Sequence, residues 1–120
     1  MGDYRTLLAF QKAFALAMRI YDISKTFPAE ERFGSIAQIR NSSRSVCANI
    51  VEAYKRRRYK DYYISKLNDS ETENAETQVW LDFALACNYC KNETYEELKS
   101  ENDEVIKLIA YMINNPDKFR

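Results

Sequence analysis

The residues with the most chemistry to offer are a run of cations, Lys55, Arg56, Arg57, Arg58 and Lys60, set among Tyr54, Tyr59, Tyr62 and Tyr63. Lys and Arg neutralise phosphates, and tyrosine rings stack on unpaired bases. Arg40 and Arg44 upstream join the same candidate nucleic-acid-binding set. The chemistry on offer is electrostatic capture of RNA or DNA rather than bond-making. The run also falls where a helix should end, and a helix C-terminus favours cations through its dipole alone. Both readings stand on sequence.

Catalytic alternatives are thin. The chain has no His. That removes imidazole acid–base chemistry, a Ser-His-Asp arrangement and the Glu-x-x-His ligands of a di-iron bundle. Gly2 and Gly34 are the only glycines, too few for a phosphate-cradling loop. Glu52, Glu73 and Glu76 remain as a carboxylate group for Mg²⁺ or Mn²⁺, a minor alternative because acids on long helices are mostly solvated. Cys87 and Cys90 form a C-x-x-C, and Cys47 stands apart. Zinc needs four ligands, and a thioredoxin-like pair needs a βαβ context that is not found here. Small buried thiols in a reducing compartment are the simpler reading. The expectation is a protein that is not an enzyme, with no cofactor and no metal site.

The elements that must position these residues read as helices. Two stripes run side by side through residues 36–56. Ile36, Ile39, Ser43, Val46, Ile50 and Ala53 step by three and four, as a packing seam does. Gln38, Ser42, Ser45, Asn49, Glu52 and Arg56 step the same way and are polar. Buried polar groups must find partners. The polar centre of the next helix, residues 68–78, offers them, and Ser45, Asn49 and Glu52 are expected to face Ser70, Asn74 or Thr77.

Four helices are predicted, from about Thr6 to Thr26, Glu30 to Arg57, Tyr59 to Lys91, and Asn92 to the Asn114-Asn115-Pro116 stop. Phe27-Pro28 breaks the first from the second. Thr94 and Glu97 have the spacing of a capping box at the start of the fourth. Short loops make neighbours antiparallel, so the fold class is all-α, an up-down-up-down four-helix bundle over a single domain, 1–120. The first helix carries two apolar stripes, one through Leu7, Phe10, Phe14, Ala17 and Tyr21, the other through Ala13, Leu16, Ile20, Ile23 and Phe27. A surface helix needs one apolar face. The second face predicts self-association.

Bulk properties agree. At 120 residues the chain can bury a core. No stretch reaches the roughly 18 apolar residues that span a bilayer. Met1-Gly2-Asp3-Tyr4-Arg5 has neither a signal-peptide layout nor a convincing myristoylation motif, so no membrane association and a cytoplasmic location are expected. Net charge is zero, but residues 1–60 hold 12 Lys/Arg against 5 Asp/Glu and residues 61–120 hold 6 against 13. Such asymmetry suits either side-by-side helices of opposite charge or a basic face for a polyanion.

Several segments resemble a known family. Residues 8–13, Ile20-Tyr21, Phe27-Pro28-Ala29-Glu30, Gln38-Ile39-Arg40, residues 45–53 and residues 76–85 resemble, in order, the bacterial four helix bundle proteins encoded in intervening sequences of 23S rRNA genes, also called S23 ribosomal proteins. The accessory proteins of diversity-generating retroelements share that fold. The resemblance implies a homopentamer and a non-enzymatic accessory role, binding nucleic acid or a protein such as a reverse transcriptase. By position, Gln38, Arg40, Ser45, Asn49, Glu52 and Glu76 match its polar signature, read here as structural residues that set register between helices or protomers. The chain departs from the family pattern at Cys47, Ala53 and Thr72-Glu73, and it is neutral where nucleic-acid-binding members tend to be basic.

Overall fold

All four helix breakers, Gly2, Pro28, Gly34 and Pro116, fall outside the long helices of the computed structural model, which describes residues 2–120. Met1, part of the N-terminal reading above, lies outside the described residues. The helices are α1 (Leu8–Ser24), α2 (Ser35–Lys55), α3 (Lys60–Ala86) and α4 (Asn92–Asn114), followed by a short α5 (Pro116–Phe119).

Helix ends differ from the sequence expectation for local reasons. The Asp3 carboxylate accepts from the Arg5 N–H at 2.9 Å and holds a tight turn at Tyr4–Thr6, so α1 begins at Leu8 rather than Thr6. Residues 29–31 form a separate turn, and α2 begins at Ser35 rather than Glu30. Its N-cap, Gly34, has no side chain to offer, and Glu31 instead accepts from the Ser35 N–H at 3.1 Å. α3 stops at Ala86, not Lys91. Asn88 takes a left-handed φ of 60°, and the Tyr89 and Asn88 N–H groups bond back to Ala84 and Leu85 carbonyls at 2.8 and 3.0 Å. That is a Schellman closure with Asn where Gly is usual. Cys87 of the C-x-x-C is the C-cap, and Cys90 follows the closure. At α4 the expected capping box does not form. Extended Lys91 is the N-cap, and Thr94 already lies within the first turn.

Side-chain pairs fix the topology. Across α2 and α3, Thr77 donates to Ser42 at 2.9 Å and Ser70 to the Val46 carbonyl at 2.9 Å. Across α3 and α4, Asn74 meets Asn102 and Asp82 meets Tyr95. Across α4 and α1, Lys12 pairs with Glu104 and Arg19 with Glu97 and Glu101. Each rising number meets a falling one, so neighbours are antiparallel in an up-down-up-down bundle. Among the described residues no strand is present, and no helix is long and apolar enough to cross a membrane.

The core follows the predicted stripes. Ile39, Val46, Ile50 and Ala53 are buried on α2, and Ala13, Leu16 and Ile20 on α1. Leu67, Leu81, Leu98, Val105, Ile109 and Met112 close the centre. Each such side chain contributes about 1.5–3 kcal/mol by leaving water.

Candidate nucleic-acid interface

The basic run lies in the turn between α2 and α3. α2 ends at Lys55, Arg56 is its C-cap, and Tyr59 is the N-cap of α3. The cations therefore fan out from the end of the bundle instead of lining one helix face. Arg57 folds over the Tyr54 ring at 4.0 Å and donates to the Tyr54 carbonyl at 2.9 Å. Arg58 lies over Tyr59 at 5.2 Å and Arg56 over Tyr62 at 5.4 Å. Tyr54 and Tyr63 are buried in the core, so only exposed Tyr59 and Tyr62 are available to stack on a base. Lys55, Arg57 and Arg58 line an open hollow of about 390 Å³, and its fourth wall is Arg120. Arg120 donates from Nε to the Arg57 carbonyl at 2.6 Å and from Nη2 to the Arg58 carbonyl at 3.1 Å. Sequence reasoning missed it, because no local pattern signals a contact between residues 63 apart. Arg56 and Lys60 are exposed beside the hollow rather than in its wall.

Arg40 and Arg44 are not part of this cluster. They stand against α1, where Arg40 donates to Ser24 Oγ at 2.7 Å and lies over the Tyr21 ring at 4.6 Å. Arg44 faces the same ring at 5.7 Å. Fifteen helical residues separate Arg40 from Lys55, a rise of about 22 Å. The predicted set thus divides into two groups.

The polar signature is also redistributed. Of the polar stripe on α2, only Ser42 is buried; Ser45 and Asn49 are half-buried, while Gln38 and Glu52 are exposed. Ser70, Asn74 and Thr77 are buried as expected, but their partners are the Val46 carbonyl, Asn102 and Ser42, not Asn49, Glu52 or Ser45. Both the seam and the stripe beside it meet α3: Val46 of the seam supplies its carbonyl to Ser70, and Ser42 of the stripe bonds Thr77. Asn49 bonds within its own helix to the Ser45 carbonyl at 3.0 Å. Glu52 pairs with Lys66 at 3.5 Å. Glu73 is half-buried near Ser45, and burial together with Glu76 raises its carboxyl. Among the described residues no group of three His, Cys, Asp or Glu is arranged to hold a metal ion. Burial pushes the Cys47 thiol up to about 11 and raises Cys90.

The stripe of α1 through Ala13, Leu16, Ile20 and Phe27 is buried in the core, and the stripe through Leu7, Phe10, Phe14, Ala17 and Tyr21 is covered only in part. Phe14 and Met18 are 52% and 46% exposed. With Tyr4, Phe10, Ala48 and Val51 they line an apolar groove of about 390 Å³ between α1 and α2, with Arg44 in its wall. A different uncharged strip runs along exposed α3 through Ser65, Asn68, Thr72, Ala75, Val79, Phe83 and Ala86.

Antiparallel connectivity, a polar-zippered interior and a cationic end define a small helical-bundle protein. The chain belongs to the family described as 23S rRNA-intervening sequence protein, whose model matches residues 5–111. Its fold is similar to the crystal structure of a protein of unknown function from the S23 ribosomal protein family of Bacteroides thetaiotaomicron VPI-5482. The two are 30% identical, with a TM-score of 0.81 over 89% of this chain and 96% of that one. Comparison with curated proteins finds no match.

Proposed function

We propose that this protein is a non-enzymatic, cytoplasmic accessory protein that self-associates and contacts the backbone of RNA or DNA through the basic end of the bundle. The observation that carries the reading is the hollow whose lining is entirely cationic. Clustered cations favour a polyanion. Zero net charge does not oppose this. Much of the acidic surplus of the second half lies on α4, where Glu97, Glu101 and Glu104 are spent against Arg19 and Lys12 at the other face of the bundle. The family's association with intervening sequences of 23S rRNA points the same way.

The test is RNA and DNA binding across a salt titration, comparing wild type with a Lys55/Arg56/Arg57/Arg58→Ala variant, the solution mass of both being checked. Tight binding with a steep salt slope, flattened in the variant at unchanged mass, is expected. Absence of binding by assembled wild type would overturn the reading.

A second reading, a homo-oligomeric scaffold that docks a protein partner, is favoured by the apolar α1/α2 groove and the uncharged α3 strip. The α1/α2 groove and the α3 strip are different patches, so a copy seated by one in the other makes a head-to-tail contact. Such contacts close into a ring when the rotation permits. The pentamer expected from the family is one such ring. Arg44 in the groove and Glu76 and Asp82 beside the strip supply matching charge.

A further inference from the structure

We infer that Lys55, Arg57, Arg58 and Arg120 form a phosphate-binding site and that Arg120 completes it. The inference deepens the nucleic-acid reading and rests on it for the source of the phosphate. Three cations on one turn repel one another and would otherwise splay into water. Here the turn is held from the far end of the chain. Pro116 starts α5, the Phe119 ring packs edge-on against Tyr111 at 5.9 Å, and Lys118 Nζ donates to the Tyr111 hydroxyl at 2.6 Å. That anchorage delivers Arg120 to the Arg57 and Arg58 carbonyls. These carbonyls lie just past the end of α2, where the helix dipole also favours a cation.

Two donors of Arg120 are used in clamping the turn. Its remaining contact, Nη1 to Asp117 at 3.4 Å, is with a carboxylate whose side chain is 86% exposed and readily displaced. The Arg120 side chain itself is only 22% exposed, so its position is set before any ligand arrives. The surrounding field is positive. Burial pushes the nearby Tyr63 hydroxyl up to about 12, while Arg120 and Arg57 pull it back. Arg120 also lies outside residues 5–111, the segment matched by the family.

The test uses the full chain, a mixed-sequence single-stranded RNA and inorganic phosphate. Wild type is compared with Arg120→Ala, Arg120→Lys and the four-alanine variant of residues 55–58. For Arg120→Ala the salt slope of RNA binding should fall by about 0.7, one phosphate contact, with folding and mass unchanged. Arg120→Lys should keep the slope, because it keeps the charge, while losing affinity through the loosened turn. Phosphate should raise the Tm of wild type more than that of Arg120→Ala. Phosphate stabilisation that depends on Arg120 without any RNA binding would uphold the site and assign it to a free phosphate-bearing ligand. Wild-type slope and phosphate response in Arg120→Ala, with binding lost in the four-alanine variant, would sink the inference and leave the nucleic-acid reading standing. Undiminished RNA binding by the four-alanine variant would overturn both.

Discussion

Asn102 is the residue that most constrains the interior. It sits on α4 in the stripe Leu98, Asn102, Val105, Ile109, where an apolar side chain would be ordinary. It accepts from Asn74 Nδ2 at 2.8 Å and donates to the Asn74 carbonyl and to Gln78 Oε1, each at 3.3 Å. A buried amide pair of this kind is expensive to break singly, because the survivor keeps its desolvation cost. Asn102→Leu should therefore cost about 1–3 kcal/mol. The double variant Asn74→Leu/Asn102→Leu should recover part of that loss, since both unpaired groups are gone. Urea unfolding of the three variants and wild type forms the cycle; simple additivity would show that the pair is not a unit. The two residues also fix register, because sliding α4 against α3 by one turn would strand both amides.

At the scale of elements, the turn before α2 and the cap after α3 hold each other. Glu31 accepts from the Tyr89 hydroxyl at 2.7 Å and from the Ser35 N–H at 3.1 Å. The Tyr89 bond first, then the Ser35 N–H, lowers the Glu31 carboxyl from its usual 4.5. A lowered carboxylate stabilises the fold above the unfolded value, and that contribution is lost as pH falls through the folded one. Thermal stability should therefore decline below about pH 4.5 more steeply in wild type than in Glu31→Gln. Parallel Tm–pH curves for the two proteins would exclude this role. The same bond pushes Tyr89 up to about 12, so its contribution is retained at neutral pH and fades only above about 10. The Phe27 ring, 5.3 Å from Tyr89, completes the junction between the α1–α2 and α3–α4 connections.

At the scale of the whole molecule, the α1/α2 groove and the α3 strip make a prediction about assembly. Phe14→Glu spoils the groove and leaves the α3 strip; Phe83→Glu does the opposite. Each variant alone should lose higher-order mass while its helical content holds. Mixing them should restore a dimer and nothing larger, because one good groove then meets one good strip. Light scattering of the mixture reads this directly. No recovery on mixing would indicate a contact that uses one patch twice. The basic hollow lies at an end of each bundle, so a ring of protomers would repeat it around one rim and raise avidity for a long polyanion.

Periodicity and short breaker-marked loops determined the all-α bundle, the antiparallel order, the inner faces of α1 and α2 and the surplus apolar stripe of α1. Those are short-range properties, set by a 3.6-residue repeat and by where Pro and Gly interrupt it. Helix ends at Leu8, Ser35 and Ala86 escaped that reading, because each depends on a side chain reaching a backbone group or on one left-handed residue. Tertiary structure alone decided the rest. Register between the antiparallel helices chose Ser42, level with Thr77, over Ser45 one turn along the same stripe, and brought Asn102 to Asn74. The bundle's length separated Arg40 and Arg44 from the 55–60 run. Chain return at Pro116 set Arg120 among Lys55, Arg57 and Arg58, a meeting of distant residues that no local pattern encodes.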